Sequence, residues 1–242
     1  MISRQHKTLF VHVPKCAGQS VETAFLTSLG LTWETRAPLL LRANDDPAAG
    51  PPRLAHLLGV DYVRCGHISA VDFEGFFKFS VVRNPFTRIV SLYAHLAPNL
   101  SFHDFATRWL AETFAVQGKD FWFVRPQADF VTDGDKIIVD DLLRLEILAA
   151  EFKRISDRLN LPPVLPKVNL RDARTASDKI KNRSVITKAF KSLRNSFRGH
   201  HFERHKNVLD YHDDATLEAT LQHYARDFAV LDYSVEPGML VK

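Results

Sequence analysis

The chain has 242 residues, of which 45% are hydrophobic and 25% charged, and a formal net charge of +4, so we expect one globular domain spanning residues 1–242. No stretch reaches about 18 uninterrupted apolar residues and the polar start lacks a signal-peptide core, which predicts a cytoplasmic protein without a transmembrane segment. Two cysteines, Cys16 and Cys65, are too few for a disulfide framework, and we expect free thiols.

The first predicted unit is a strand, a tight loop and a helix. Residues 8–13, TLFVHV, form a β-branched and aromatic run that ends at Pro14, as expected of a buried strand. Ser20 is a candidate helix N-cap, and Glu22 would then lie in the first turn, where a carboxylate suits the helix dipole. The apolar face of this helix would comprise Val21, Ala24, Phe25 and Leu29.

The next segments repeat the pattern of a strand followed by a helix. Residues 43–53 are rich in Asn, Asp, Pro and Gly and predict a surface loop. Residues 61–65 are a short strand candidate, and residues 77–82 predict a further strand. Asn84 as cap and Pro85 as first helical residue then begin the next helix.

The remaining pattern predicts helices at residues 102–114, 143–159 and 214–228, with a strand candidate at residues 136–139. Strands that alternate with helices favour a mostly parallel sheet covered on both faces. The predicted fold class is therefore α/β.

The loop at residues 13–20, VPKCAGQS, has the properties of an anion site. Unpaired N–H groups at a helix start carry the positive end of the dipole. Gly18 allows close approach of the backbone, Lys15 supplies a cation, and Ser20 adds a hydroxyl. The loop is not a Walker A motif, because Lys15 precedes Gly18.

A second candidate anion site is the stretch RNPFTRIVSLY at residues 83–93. Arg83 closes a predicted strand and Ser91 lies two turns into the following helix, so both can face one anion at the carboxyl edge of the sheet. The planar fork of an arginine suits phosphate. Arg88 is either a further phosphate ligand or a helix-surface arginine paired with an acid.

These two stretches resemble the donor-binding motifs of sulfotransferases that use 3′-phosphoadenosine 5′-phosphosulfate (PAPS). The first is similar to P-K-T-A-G-T-S of the carbohydrate-modifying branch, which is heparan-sulfate 2-O-sulfotransferase-like (family 2), with Cys16 and Gln19 replacing the threonines. The second matches R-[ND]-P-x-x-R-x-x-S-x-Y at every fixed position. Weaker similarities lie at residues 125–127 and 211–228.

The resemblance implies a P-loop-like three-layer sandwich around the central sheet. It also implies that the 3′-phosphate of PAPS is bound by Arg83 and Ser91. The residues implied to surround the 5′-phosphosulfate are Lys15, Cys16, Ala17, Gly18, Gln19, Ser20 and Val21.

Sulfuryl transfer needs stabilisation of charge on the leaving oxygen, a role that suits Lys15 and the loop amides. The sequence shows no acidic residue at a Walker B position, which favours sulfuryl over phosphoryl transfer. The acceptor hydroxyl also needs a base. His67, in a G-H-I segment, resembles the basic histidine of the carbohydrate branch, and Glu22 and Glu74 are fallback candidates.

The other histidines are assigned no catalytic role. His12 is expected to face the core or a neighbouring strand. Five histidines without a distinctive context are interpreted as surface residues: His56, His95, His200, His201 and His205. Cys16, Cys65 and His67 would give a metal only three ligands without a fourth, so we predict no metal site.

Residues 167–206 contain twelve Lys/Arg and three acidic residues, a net charge of +9 that leaves −5 for the rest of the protein. This insertion, at about residues 170–207, either meets an anionic partner or is a solvated basic helix or lid, and it could close over PAPS or contact the acceptor.

We predict a glycan or other hydroxyl-bearing acceptor and no nucleic acid partner. The alternatives are an atypical kinase that uses ATP and magnesium, or a non-catalytic polyanion-binding module. A polysaccharide, a glycolipid, a small glycoside and a protein tyrosine all remain open as acceptors.

Overall fold

The computed structural model describes residues 1–96, 99–118, 120–163, 165 and 208–237, and its centre is a four-stranded sheet in the order β1-β2-β3-β6. The strands in chain order are β1 (Ile2–Ser3), β2 (Thr8–Val11), β3 (Phe77–Val82), β4 (Thr132–Asp133), β5 (Lys136–Ile137) and β6 (Asp141–Arg144). β4 and β5 form a separate antiparallel hairpin. The predicted basic insertion lies outside the described residues.

The central sheet is mostly parallel, which confirms the prediction. β2 pairs in parallel with β3, placing Val11 opposite Ser80, and β3 pairs in parallel with β6, placing Ser80 opposite Leu142. β1 alone is antiparallel. All of β2 and nearly all of β3 are buried, as expected of strands covered on both faces. The carboxyl ends of three parallel strands therefore meet at one edge.

Helices connect and cover these strands. They are α1 (Gly18–Ser28), α2 (Asp61–Arg64), α3 (Ala70–Gly75), α4 (Pro85–Leu96), α5 (Phe102–Asp104), α6 (Leu110–Val116), α7 (Phe121–Val124), α8 (Ala128–Val131), α9 (Leu148–Leu159), α10 (Asp214–His223) and α11 (Ala225–Val230). A π-helical stretch, Phe105–Trp109, joins α5 to α6, so the helix predicted at residues 102–114 is confirmed. None of the helices within the described ranges is long and apolar enough to cross a membrane.

An aromatic cluster joins α1 to the sheet. The ring centroid of Phe79 lies 5.0 Å from that of Phe10 and 6.3 Å from that of Phe25, and all three side chains are fully buried. Burial of each such side chain stabilises the fold by roughly 1.5–3 kcal/mol. Val21 and Ala24 are also buried, which confirms the predicted apolar face of the helix.

The start of α1 was predicted wrongly. The helix begins at Gly18, with Ala17 as N-cap in the left-handed region at φ 57° and without a side-chain cap. Ser20 lies inside the helix, where its N–H donates to the carbonyl of Ala17 over 3.0 Å. The chain thus enters the helix three residues earlier than a serine cap at position 20 would require, and Glu22 falls in the second turn.

Of two further strand predictions, one was wrong and the other is confirmed only in part. Residues 61–65 form the helical turn α2, in which Cys65 N–H donates to Asp61 O over 2.9 Å, so His67 does not follow a strand. Residues 136–139 contribute only β5, and the third parallel strand is β6, which takes the first two residues of the helix predicted at 143–159. Asp140 supports this register, because its carboxylate accepts from Lys78 N–H over 2.7 Å.

The predicted carboxyl-terminal helix is divided into α10 and α11 at Tyr224. Asp213 caps α10 by accepting from Thr216 N–H over 2.9 Å. The buried hydroxyl of Tyr224 donates to Val124 O over 2.8 Å, which ties this end of the chain to α7.

Candidate functional site

The loop between β2 and α1 is a tight turn with two residues in the left-handed region. Lys15 has φ 69° and Ala17 has φ 57°. Because α1 starts immediately afterwards, the N–H groups of Gly18 and its neighbours lie at the positive end of the helix dipole. Lys15, Gln19 and Ser20 are partly exposed there. This geometry suits an anion.

Cys16 and Val21 can offer only their main chains to that anion, because both side chains are buried. The Cys16 thiol donates to the side-chain oxygen of Gln127 over 3.2 Å. Burial raises the pKa of this thiol to about 12, so it stays protonated at neutral pH. The side chain of the cysteine that replaces the motif threonine therefore makes its contacts inside the protein.

Gly18 is required by a neighbouring side chain. A Cβ atom at this position would lie 2.0 Å from Nε2 of His12. The imidazole of His12 is buried, as predicted, and its Nδ1–H donates to the Glu22 carboxylate over 2.6 Å. Glu22 is therefore the buried partner of His12, while the other fallback base, Glu74, is exposed on α3.

Arg83 connects the motif at residues 83–93 with the loop at residues 13–20. Its Nη1 lies 3.5 Å from the carbonyl oxygen of Lys15, and its Nε donates to the Thr87 hydroxyl over 2.8 Å. Ser91, one turn beyond Thr87, is also partly exposed on α4. Burial lowers the pKa of Arg83, but a guanidinium remains protonated in proteins. Arg83 thus adds positive charge beside the lysine-bearing turn.

Gln127 holds the two motifs together. Its side-chain oxygen accepts from Arg83 N–H over 2.8 Å, in addition to the Cys16 thiol, and its amide donates to Arg83 O over 2.7 Å and to Asp227 over 3.1 Å. Asp227 also accepts from Ala128 N–H over 2.8 Å. Sequence reasoning gave residues 125–127 and 211–228 little weight, but the structure places Gln127 and Asp227 directly behind the donor motifs.

Arg88 was predicted to be either a further phosphate ligand or a helix-surface arginine paired with an acid, and its contacts match neither role. Its side chain is 1% exposed and donates to the carbonyl oxygens of Pro14 over 3.2 Å, Arg125 over 3.1 Å and Phe123 over 3.5 Å. A buried guanidinium that binds three carbonyls is a structural clamp. It fixes Pro14, immediately before Lys15.

His67 is partly exposed and lies against the loop at residues 47–51. Its Nε2 is 2.7 Å from the carbonyl oxygen of Ala49. A carbonyl only accepts, so Nε2 carries the hydrogen and Nδ1 carries the lone pair. The carbonyl of His67 also accepts from Arg4 over 3.2 Å.

The interpretation of His56 as a surface histidine was wrong. It is partly buried, with its ring centroid 4.3 Å from that of His12 and 5.6 Å from that of Trp122. It lines a cleft of about 440 Å³, which we call the α7 cleft, between residues 47–51, α2 and α7. In the part of the chain that the structure describes, no three His, Cys, Asp or Glu side chains are grouped to hold a metal ion.

These features define an α/β protein with a strand-loop-helix unit whose geometry suits an anion and with an arginine supplied by the adjacent strand. The sequence model of the sulfotransferase family matches residues 1–234, so the chain belongs to the sulfotransferase family. Comparisons with curated proteins and with solved structures gave no match. Membership of this family implies transfer of a sulfuryl group to a hydroxyl-bearing acceptor.

Proposed function

We propose that the protein transfers a sulfuryl group from PAPS to a hydroxyl of a carbohydrate. The observation that carries this proposal is the 3.5 Å approach of the Arg83 guanidinium to the Lys15 carbonyl, because it brings the two donor motifs to one edge of the sheet. A donor with phosphate groups at two positions needs two neighbouring anion sites. The chain offers one at the start of α1 and one along α4.

The residues fit the two ends of PAPS in different ways. Lys15 and the main-chain N–H groups of residues 16–19 would hold the 5′-phosphosulfate, with the Ser20 hydroxyl beside them. Arg83 and Ser91 would hold the 3′-phosphate, since Arg83, Thr87 and Ser91 are spaced by four residues and are all partly exposed.

The chemistry follows from these charges. Negative charge grows on the oxygen that joins the sulfuryl group to the 5′-phosphate as that bond breaks. The amides at the start of α1 are fixed by the helix before the reaction, so they stabilise this charge without reorganisation, and Lys15 adds a positive charge beside them. Removal of the acceptor proton requires a base, and the motif resemblance gives His67 as the first candidate, acting through Nδ1.

The acceptor is proposed from the motif resemblance alone, which lies with the carbohydrate-modifying branch. Incubation of the protein with radiolabelled PAPS and a panel of glycans, followed by measurement of labelled product, tests this part of the proposal. Labelling of tyrosyl peptides with none of glycans would contradict it.

Thermal unfolding with nucleotides tests the donor assignment. Adenosine 3′,5′-bisphosphate, the desulfo product of PAPS, should raise the Tm more than AMP does, because AMP lacks the 3′-phosphate. A ligand at a hundred times its Kd stabilises by about 2.7 kcal/mol. For a protein of this size that is a Tm shift of roughly 5–10 °C.

Arg83→Ala should reduce the shift with the bisphosphate to the shift with AMP. Arg108→Ala is the matched control, since it removes the same charge from a side chain that is 60% exposed, and should keep the wild-type difference. Each variant is compared with itself, so an altered baseline Tm does not affect the result. Equal shifts with both nucleotides in the wild type would contradict the proposal.

A further inference from the structure

The α7 cleft adjoins the loop at residues 13–20, which we call the donor loop, through two contacts. Nδ1 of His56, on its wall, lies 2.9 Å from the carbonyl oxygen of His12, at the end of the segment that leads to Lys15. Arg125 also lines the cleft, and Arg88 binds its carbonyl together with that of Pro14. Two lining residues of the cleft are therefore tied to the residues immediately before Lys15.

The hydrogen bond of His56 determines which ring nitrogen is available. The carbonyl of His12 can only accept, so Nδ1 carries the hydrogen and Nε2 keeps its lone pair. The ring is packed against Trp122 and edge-on to Phe123, with centroid distances of 5.6 and 6.2 Å. An oriented imidazole with a free lone pair in a cleft can accept a proton.

The charged groups around His56 favour its neutral form. His12 faces it from the end of β2, and Arg53 and the amino group of Met1 also act on it. Across the cleft lie Asp61 and Arg64, which pair with each other at 3.3 Å, and Arg125, which pairs with Asp129 at 3.2 Å. Burial, the largest effect, and the positive groups hold the pKa of His56 well below its ordinary value. An anionic donor beside Lys15 would raise it towards neutrality.

His67 is placed differently. It does not line the α7 cleft. Its Nε2–H donates to the carbonyl of Ala49, which lies between two residues that do line the cleft, Ala48 and Gly50. This contact suits a residue that holds the wall of the cleft in position.

We propose that the α7 cleft binds the acceptor and that His56 Nε2 takes the proton from the acceptor hydroxyl. This inference rests on the proposed function. The acceptor oxygen forms a bond to sulfur, the bond between sulfur and the 5′-phosphate oxygen breaks, adenosine 3′,5′-bisphosphate leaves, and the acceptor proton moves to Nε2. Trp122 supplies a flat apolar surface in the same cleft, against which a sugar ring can stack.

Two amide substitutions test this assignment against the motif-based one. His56→Asn places an N–H near the position of Nδ1, so it can keep the bond to His12 O while removing the base. His67→Gln places an N–H near the position of Nε2, so it can keep the bond to Ala49 O while removing the other candidate base. His103→Asn removes an exposed imidazole and is the control.

With the glycan that the wild type labels best, His56→Asn should lower the rate about 10²- to 10⁴-fold, the usual contribution of a positioned base. Its Tm shift with adenosine 3′,5′-bisphosphate should match the wild type, and His103→Asn should keep the wild-type rate. Near-wild-type turnover by His56→Asn, with loss in His67→Gln, would overturn the inference and leave the donor assignment intact. Absence of a bisphosphate shift in the wild type would instead overturn the proposed function.

An NMR titration tests the same assignment without an acceptor. The ¹⁵N signals of His56, identified by their loss in His56→Asn, should show the Nδ1–H form, and adenosine 3′,5′-bisphosphate should raise the His56 pKa by about one pH unit or more. An Nε2–H form, or a pKa that the nucleotide leaves unchanged, would overturn the inference.

Discussion

Gly18 is the residue at which the donor loop and the interior of the protein constrain each other most closely. The imidazole of His12 occupies the space that a Cβ atom at position 18 would need, and it is held there by Glu22 at 2.6 Å and by the ring of His56. A side chain at position 18 would therefore displace His12 as well as crowd a bound anion.

Gly18→Ala should lower the free energy of unfolding by about 1–3 kcal/mol, the usual cost of overpacking, and should weaken binding of adenosine 3′,5′-bisphosphate. Denaturant unfolding and nucleotide titration measure both effects. Gly75→Ala is the matched control, because nothing lies within 4 Å of a Cβ there, and its effect should stay within about 1 kcal/mol.

If the clash with His12 is the cause, Gly18→Ala should cost less in a His12→Ala background, where the ring is gone. Strict additivity of the two substitutions would contradict this explanation.

The sequence predicted which residues form the donor loop better than it predicted what their side chains do. The motifs predict that Lys15 and Arg83 belong to one site, and in the structure the two residues lie next to each other. Whether Cys16 points inward, or Arg88 lies on the surface, depends on neighbours such as Gln127 and Phe123 that are far along the chain. Helical spacing alone does not specify such contacts.

At the scale of elements, the donor loop is held by α4. Arg88 reaches from this helix to Pro14, and the same guanidinium binds the end of α7 through the carbonyls of Phe123 and Arg125. Three acceptors at different angles require the planar fork of an arginine. The position of Lys15 thus depends on how α4 and α7 pack.

Arg88→Lys should lower the free energy of unfolding by about 1–3 kcal/mol, because a lysine keeps the charge but cannot bind the three carbonyls with the same geometry and leaves buried acceptors unpaired. The Tm shift with adenosine 3′,5′-bisphosphate should also decrease. Arg108→Lys on the exposed surface is the control. Unchanged stability in Arg88→Lys would show that the clamp contributes nothing.

Elements that are marked in the sequence by a long apolar run or by a helix cap were predicted correctly. The strand at residues 77–82 and the helix begun by Asn84 and Pro85 are confirmed, since a buried apolar run and a cap both act locally. Short elements were predicted less well. The helix α2, for example, has only four residues, which are too few for a periodic pattern to distinguish it from a strand. The position of β6 depends on the contact of Asp140 with Lys78, which no local pattern reveals.

For the molecule as a whole, partly buried histidines contribute to the response to acid. Burial lowers the pKa of His212, whose Nε2 donates to Phe86 O over 3.0 Å between the rings of Phe86 and Phe102. The folded state therefore favours neutral His212, while the unfolded chain takes up a proton near the ordinary histidine pKa of about 6.5. The contribution of His212 is present above that pH and is lost as the pH falls towards the folded pKa.

The Tm should accordingly be lower at pH 5.5 than at pH 7.5, in part because of His212. His212→Gln can keep an N–H for Phe86 O but cannot take up a proton, so its Tm should fall less over the same interval. Thermal unfolding at the two pH values measures the difference. An identical decrease in the wild type and in His212→Gln would contradict the assignment.

The sequence predicted a mostly parallel sheet. It also predicted that the motifs at residues 13–20 and 83–93 lie close together, because parallel strands place their carboxyl ends at one edge of the sheet. The α7 cleft could not be predicted. Its walls come from the loop at residues 47–51, from a turn predicted as a strand and from α7, and only the folded chain brings His56 against Trp122.

The bonds of Gln127 reach across 111 positions to Cys16, 44 to Arg83 and 100 to Asp227. The site behind the donor motifs is thus closed only when distant parts of the chain have already come together. A partly folded form that lacks α11 lacks this closure, so binding of the proposed nucleotide donor should report that folding is complete.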